Sequence, residues 1–340
     1  GGTTALTSLA TDAGGSVAIN GGVVNTTGAQ SYGEAATLGA ATTMTSTGAG
    51  SISFGGTLNG AQTLAVNTSG VTSFTGVVGG TTPLTSLTTD ALGETQLKGA
   101  LVHTTVDAVF NDIVKVFTDV TVKAAGQLTF AKTVDADTAN TRTLKLDGGN
   151  TAAVSVQGNL GATNSLKTLE VVNSESTTFV GSVKTDTSVV LTNSRIGIAF
   201  NGGLTTPSLS IANQPFALSL GGAVSVTDQV TANNTGNLQL GGVETDNLYF
   251  VNGLVATAPG SIGMAGVLRS NNAPCSIRFR RKTMLQDLTR PQVEQALAWL
   301  ACPEPQPVPQ ELKELSQLEW FLLSSLLENL LEEKEHSLVQ

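Results

Sequence analysis

The residues best suited to nucleophilic or acid–base chemistry are scarce in this chain. It contains two histidines, His103 and His336, and two cysteines, Cys275 and Cys302. A Ser-His-Asp site would have to use one of the two histidines, and a structural zinc site would need all four residues from distant, dissimilar contexts. His103 occupies the repeat position of Asn25, as shown below, which predicts a polar turn or face residue. The pattern predicts no catalytic residue and no metal site.

Carboxylates offer a second route to chemistry, as the acid–base pair of a glycosidase or as calcium ligands. Asp119, Asp135 and Asp137 are the nearest approach to a cluster. A hydrolytic pair must be held at a defined separation, and enzymes acting on sugar chains usually carry aromatic platforms, whereas only 4% of this chain is aromatic. The calcium-binding repeat GGxGxDxUx is also missing. We therefore interpret these aspartates as turn residues and predict no cofactor.

Composition narrows the class of protein further. Of the 340 residues 38 are glycine and 13% are charged, with a net charge of −9. An acidic chain is a poor partner for nucleic acid or anionic lipid, because phosphate binding requires a basic surface. The chain contains no stretch of eighteen apolar residues, so the sequence predicts no membrane span. The chain begins without an initiator methionine or a basic n-region, so we expect a piece of a longer protein whose export signal lies upstream.

An internal repeat organises residues 1–266. The phrase GGTTALTSLATD at residues 1–12 returns as GGTTPLTSLTTD at residues 79–90, an offset of 78. A third, degraded copy begins at Gly161, where Leu166 and Leu169 take the places of Leu84 and Leu87. Small insertions and deletions shift the register between copies. Such insertions are typical of loops on a stacked array.

Short alternating segments fill each repeat. Ile52 and Phe54 alternate with serines before a glycine pair, and Asn237–Leu240 has the same pattern. Alternation with a period of two indicates half-buried strands, and the glycine pairs indicate turns. Stacked coils would bury Ile52, Phe54, Leu64, Val66, Phe74 and their counterparts in one column. The pattern predicts a mainly β, right-handed parallel β-solenoid over residues 1–266, with about ten to thirteen coils of about 20 to 27 residues. The alternative is an array of Ig-like sandwiches, which usually carry a core tryptophan; Trp299 and Trp320 both lie outside the repeats.

The repeat phrase at residues 79–90, followed by Leu97-Lys98-Gly99 and threonine-rich strands, resembles the β-strand repeats of large bacterial surface proteins of the filamentous-haemagglutinin and autotransporter-passenger kind. The resemblance covers residues 1–266. It implies an exported, elongated, adhesin-like segment that is secreted or held at the bacterial cell surface. It transfers no catalytic residue.

The composition changes abruptly after residue 270. All the glycines precede Asn271. Residues 267–287 are predicted to be a linker, and residues 288–340 a helical hairpin with a proline-rich connection. The second helix would present a wide apolar face formed by six leucines: Leu312, Leu315, Leu318, Leu322, Leu326 and Leu330.

This leucine face is the candidate interaction surface. It would mediate self-association, in which case Leu322→Asp abolishes it, or it would cap the solenoid; a third alternative is an unrelated small protein joined to the repeats. For the whole chain we expect a non-enzymatic structural stalk or adhesin-like segment with a surface glycan or protein as ligand. The alternatives are a carbohydrate-active β-helix lyase or hydrolase and a fusion of a repeat fragment with a helical protein.

Overall fold

The computed structural model describes residues 1, 3–271 and 275–277. Within these residues the secondary structure consists of short β-strands without a helix, and every ladder between strands is parallel. The strands follow one another around a three-sided coil, and each pairs with the strand on the same side of the next coil. The expected parallel β-solenoid is confirmed.

We name the three sides faces A, B and C. Face A is a continuous sheet of twelve strands. Its strands are Val23–Thr26, Thr42–Ser46, Thr63–Thr68, Ser86–Thr89, Ala108–Phe110, Gln127–Phe130, Ala153–Val156, Ser176–Phe179, Gly197–Phe200, Ala217–Leu220, Asn237–Leu240 and Ser261–Met264.

Face B follows face A within each coil. Its strands are Leu9–Ala10, Gln30–Tyr32, Ile52–Phe54, Val71–Phe74, Glu94–Leu97, Ile113–Val116, Val134–Ala136, the first part of Val183–Leu191, Leu204–Thr206, Ala223–Val226, Asn247–Phe250 and Val267–Arg269. Leu160 bridges Val134 and Val183 and so keeps the ladder continuous.

Face C completes the coil. Its strands are Ser16–Ile19, Ala35–Leu38, Leu58–Asn59, Leu101–His103, Val120–Lys123, Thr143–Asp147, Leu166–Asn173, the last part of Val183–Leu191, Ser208–Ile211, Val230–Thr231, Leu254–Ala256 and Cys275–Ile277. Val78 bridges Leu58 and Val102.

Coil length agrees with the expected range of about 20 to 27 residues. On face A, the length of a coil is the number of residues from one residue to its ladder partner in the next coil. This number is smallest for pairs such as Val24 and Met44, and it is largest for Leu128 and Val154. Twelve strands separated by about 4.8 Å give a stack about 53 Å long. Strands Val267–Arg269 and Cys275–Ile277 extend it into the segment that the sequence predicted to be a linker. The predicted hairpin at residues 288–340 lies outside the described residues.

The core is a single column of inward-facing side chains. Ile52, Phe54, Leu64, Val66 and Phe74 are at most 1% exposed, as the alternation predicted. Because strands pair in register, like side chains stack on one another. On face B the rings of Tyr32, Phe54 and Phe74 stack with centroids 5.2 and 5.4 Å apart. On face A Phe110 stacks on Phe130 at 5.0 Å, and Phe179 on Phe200 at 4.7 Å.

The sequence repeat does not span a whole number of coils. Leu9 lies on face B, its counterpart Leu87 on face A and the third counterpart, Leu169, on face C. Counting Val78 and Leu160 as one-residue strands, each repeat contains eleven strands, or three and two-thirds coils. Each copy of the repeat therefore begins on a different face from the copy before it.

Candidate functional site

A buried carboxylate lies at the corner between faces A and B. Asp112 is 1% exposed. Its Oδ1 atom accepts a hydrogen bond from the Thr89 hydroxyl at 2.7 Å, and its Oδ2 atom accepts one from the Thr95 hydroxyl at 2.8 Å. Thr89 ends a face A strand and Thr95 lies in the following face B strand, both in the coil before Asp112. The corner therefore holds Asp112 between two hydroxyl donors.

A second carboxylate lies at the same corner one coil earlier. The Oδ1 atom of Asp90 is buried and has no hydrogen-bond partner among the described residues. Burial raises the pKa of Asp90, and burial also raises the pKa of Asp112, with a further contribution from the charge of Asp90. Raised pKa values are typical of acid–base sites. Asp112, however, points into the solenoid interior, where its chemistry is restricted to exchanging protons and hydrogen bonds with its neighbours.

Equivalent corners in the earlier coils are polar without being charged. The Thr26 hydroxyl donates to the carbonyl oxygen of Gly28 at 2.6 Å, and the Thr68 hydroxyl donates to that of Gly50 at 2.7 Å. In those coils a backbone carbonyl oxygen accepts the hydrogen bond of the threonine hydroxyl, as the Asp112 carboxylate does for Thr89 and Thr95. Sequence analysis missed this cluster. The sequence held one signal of this cluster, the polar residue Thr89. It lies between Val66 of the previous coil and Phe110 of the next coil, in an inward column that is otherwise apolar.

Asp135 holds a loop of the next coil in place, and a similar loop occurs one repeat earlier. Its Oδ1 atom accepts hydrogen bonds from the backbone N–H groups of Thr163 at 2.9 Å and Asn164 at 3.2 Å. One repeat earlier the Oδ1 atom of Asn59 accepts from Thr81 at 3.0 Å and Thr82 at 3.3 Å. The interpretation of Asp135 as a turn residue is wrong, because it lies within the strand Val134–Ala136. From that strand its carboxylate supports a loop of the next coil.

Glycine starts both of these loops for a steric reason. Gly79 and Gly161 have φ values of +71° and +72°. A Cβ atom would lie 2.2 Å from the carbonyl oxygen of His103 at Gly79, and 2.2 Å from that of Lys184 at Gly161. Only glycine fits such a left-handed, crowded position without displacing the neighbouring coil.

Asp119 and Asp137 lie near one arginine at the corner between faces B and C. The Arg142 guanidinium donates to both carboxylate oxygens of Asp137, at 2.6 and 2.9 Å, and this holds the pKa of Asp137 below its usual value. Asp119 accepts the backbone N–H of Thr143 at 2.8 Å. The hydrogen bond to Asp137 raises the pKa of Arg142, and the charge of Asp119 adds to this effect. A carboxylate held ionised by arginine is a poor proton donor at neutral pH.

His103 is an outward, half-buried residue of the face C strand Leu101–His103, as its repeat position predicted. Burial and the neighbouring Lys123 lower its pKa. Lys123 itself pairs with Asp147 at 3.5 Å. His103 therefore belongs to a column of surface charges, separate from the three aspartates discussed above. The six leucines from Leu312 to Leu330 lie outside the described residues.

Charged residues are distributed unequally over the three faces. On face B the Lys115 ammonium pairs with Glu94 at 2.9 Å, and on face C Lys145 pairs with Glu170 at 2.7 Å. The strands of faces B and C hold eleven acidic or basic residues: Glu94, Lys115, Lys123, Asp135, Lys145, Asp147, Lys167, Glu170, Lys184, Asp186 and Arg269. The twelve strands of face A hold none. Sequence analysis missed this difference, because assigning a strand to a face requires the number of strands in a coil.

Known proteins add no further assignment. No family model, curated protein or solved structure matches the chain. In the part of the chain that the structure describes, no three His, Cys, Asp or Glu side chains form a group able to hold a metal ion. None of the described segments is a helix of the length and hydropathy needed to cross a bilayer.

Proposed function

We propose that the chain is a non-enzymatic structural stalk or adhesin-like segment of a large exported bacterial surface protein. The observation that carries the proposal is the uninterrupted core. It runs along all twelve strands of face A and lies between the three faces. Stacked coils of this kind gain stability from each neighbour, so length can be added coil by coil. The resemblance of the repeat phrase to bacterial surface repeats supports export.

The rotation of the repeat also supports a stalk. A ligand motif repeated along one face would need a repeat equal to a whole number of coils. A repeat of eleven strands instead places Leu9, Leu87 and Leu169 on three different faces. The repeat preserves the alternation of inward apolar and outward polar side chains, which the strands of all three faces need. The sequence repetition therefore serves the core more than any one surface.

Further details of the proposal follow from the same reasoning. The coils wind right-handed, because parallel crossovers are right-handed in about 98% of cases. The protein is secreted or held at the cell surface, and its ligand is a surface glycan or a protein. The tail from residue 288 forms the helical hairpin, which self-associates through its leucine face.

A glycan array combined with assays of polysaccharide depolymerisation tests the proposal. We expect no turnover of any glycan, and binding without turnover would favour an adhesin over a plain stalk. Turnover that Asp135→Asn or Asp137→Asn abolishes would favour the carbohydrate-active β-helix enzyme. Asp228→Asn provides the control, because Asp228 is exposed and lies away from both residues.

A further inference from the structure

Face A differs from the other two faces in a way that the repeat does not explain. Because successive copies are rotated by one face, any repeat position visits all three faces in turn. Asn25 on face A, for example, corresponds to His103 on face C. If the repeat alone determined where charged residues lie, they would be distributed evenly over the three faces. The twelve strands of face A have none. The missing charges are therefore a property of this face.

Most of the outward side chains of face A are also small. One outward column contains Thr178, Ala199 and Ser219 in consecutive coils, followed by the longer Gln239 in the next coil. Two faces built of small, uncharged side chains can approach closely, as in packed β-sheets about 10 Å apart. On faces B and C long charged side chains project outward and oppose such packing.

A shallow groove of about 290 Å³ lies on this face. Its floor is formed by Gly197 and Ala217, which are smaller than Ser176 and Asn237 in the coils on either side. Ile196 lines the groove at its edge and is 57% exposed. Glu175 and Arg195, in the adjoining turns, form an ion pair with each other.

We propose that face A is a self-association surface, which pairs with face A of a second copy of this chain. The net charge of −9 makes copies repel one another, and the uncharged face is the side on which repulsion is weakest. A two-fold axis close to the groove would bring Ile196 of each copy onto the groove floor of the other, as an isologous interface requires. This pairing does not depend on whether the protein is a stalk, an adhesin or an enzyme.

Sedimentation equilibrium of the full chain tests the proposal with a matched pair of variants. Ser219 and Ser225 are outward, half-buried serines in successive strands of one coil, on face A and face B respectively. Ser219→Arg places a charge in the interface and should raise the dissociation constant of the dimer at least about tenfold. Ser225→Arg adds the same charge outside the interface and should leave the constant within about twofold of the parent value.

A second pair tests the apolar contact. Ile196→Ala should weaken association, whereas Val243→Ala should not, since Val243 is also 57% exposed but lies in a loop beyond the groove. The proposal is overturned if Ser219→Arg and Ser225→Arg associate equally well, or if the parent chain is monomeric at every concentration. Association that Leu322→Asp abolishes while Ser219→Arg leaves it intact would assign it to the tail. If Ser219→Arg instead removes binding to a glycan array without changing association, the face binds sugar and the proposal is wrong.

Discussion

The hydroxyl of Thr95 donates a hydrogen bond of 2.8 Å to the carboxylate of Asp112 across two successive coils of the solenoid. The same hydroxyl lies 3.0 Å from the second carboxylate oxygen, which Thr89 also contacts. An ionisable group therefore sits where other coils use a neutral hydroxyl and a backbone carbonyl. Its protonation is coupled to folding, because the carboxylate is solvated when the chain unfolds and buried when the chain folds.

Replacing Asp112 by asparagine should remove a specific pH dependence. The pKa of Asp112 is raised in the folded state, so the folded chain holds its proton more tightly than the unfolded chain. The resulting stabilisation is present below the unfolded pKa of about 3.9 and is lost as pH rises through the folded value. We expect the free energy of unfolding of the parent, minus that of Asp112→Asn, to decrease as the pH rises from 3.5 to 7.5. Guanidinium titrations at several pH values measure this difference. A difference that rises with pH would contradict the assignment.

Asp246 should have the opposite pH dependence. Its carboxylate accepts the backbone N–H of Gly242 at 2.6 Å and that of Val243 at 3.3 Å, and these hydrogen bonds lower its pKa. A lowered pKa adds stability above the unfolded pKa, and this stability is lost as pH falls through the folded value. We expect Asp246→Asn to reduce the free energy of unfolding by about 1 to 2 kcal/mol at pH 7 and by less at pH 3. An equal loss at both pH values would show that the charge is unimportant.

Gly79→Ala should destabilise the fold strongly. The new Cβ atom would meet the carbonyl oxygen of His103 at 2.2 Å in a residue with φ of +71°. The left-handed conformation alone costs about 1 to 2 kcal/mol, and displacing the next coil adds to this. Thermal melting followed by circular dichroism measures the effect. Gly21→Ala is the matched control, because a Cβ atom at Gly21 would meet nothing within 4 Å; equal melting temperatures for the two variants would refute the steric explanation.

Phe130→Ala should test the stacked core. Phe130 is fully buried and stacks on Phe110 at 5.0 Å. Removing a buried phenyl ring costs about 3 to 5 kcal/mol. Phe117→Ala, at a half-buried ring 5.0 Å from the Lys98 ammonium, should cost about 1 kcal/mol. Chemical denaturation of the two variants compares them directly, and similar losses would mean that the described core is misplaced.

The sequence was sufficient to predict the strands and the coils. Segments such as Ile52–Phe54 and Asn237–Leu240 alternate strictly, and they are strands with the apolar side chains inward. The coil length was taken from the range usual for solenoids, about 20 to 27 residues, and the coils of face A fall within it. The rotation of the repeat was not predicted, because the offset between copies reveals nothing about faces until the number of strands per coil is known.

The polar features were harder to predict for a physical reason. Asp112 lies beside Asn111 and before a strand, as a turn aspartate would, and its inward direction depends on two threonines of another coil. Asp135 has the local sequence of a turn residue, although it supports a loop of the next coil that begins at Gly161. Interactions between coils connect residues far apart in the sequence, so local patterns do not reveal them. The uncharged face A is visible only after every strand has been assigned to its face.

Electron paramagnetic resonance distances along face B test the stacked-coil architecture most directly. In a chain with Cys275 and Cys302 replaced by serine, spin labels would be attached to cysteines at Ser31 and Lys115, or at Ser31 and Ser225. Ser31 is separated from Lys115 by four coil steps and from Ser225 by nine, following the ladder register. Steps of about 4.8 Å predict separations of about 19 and 43 Å. A longer pair that measures less than about 30 Å, or two separations that do not scale with the number of coils, would contradict the solenoid.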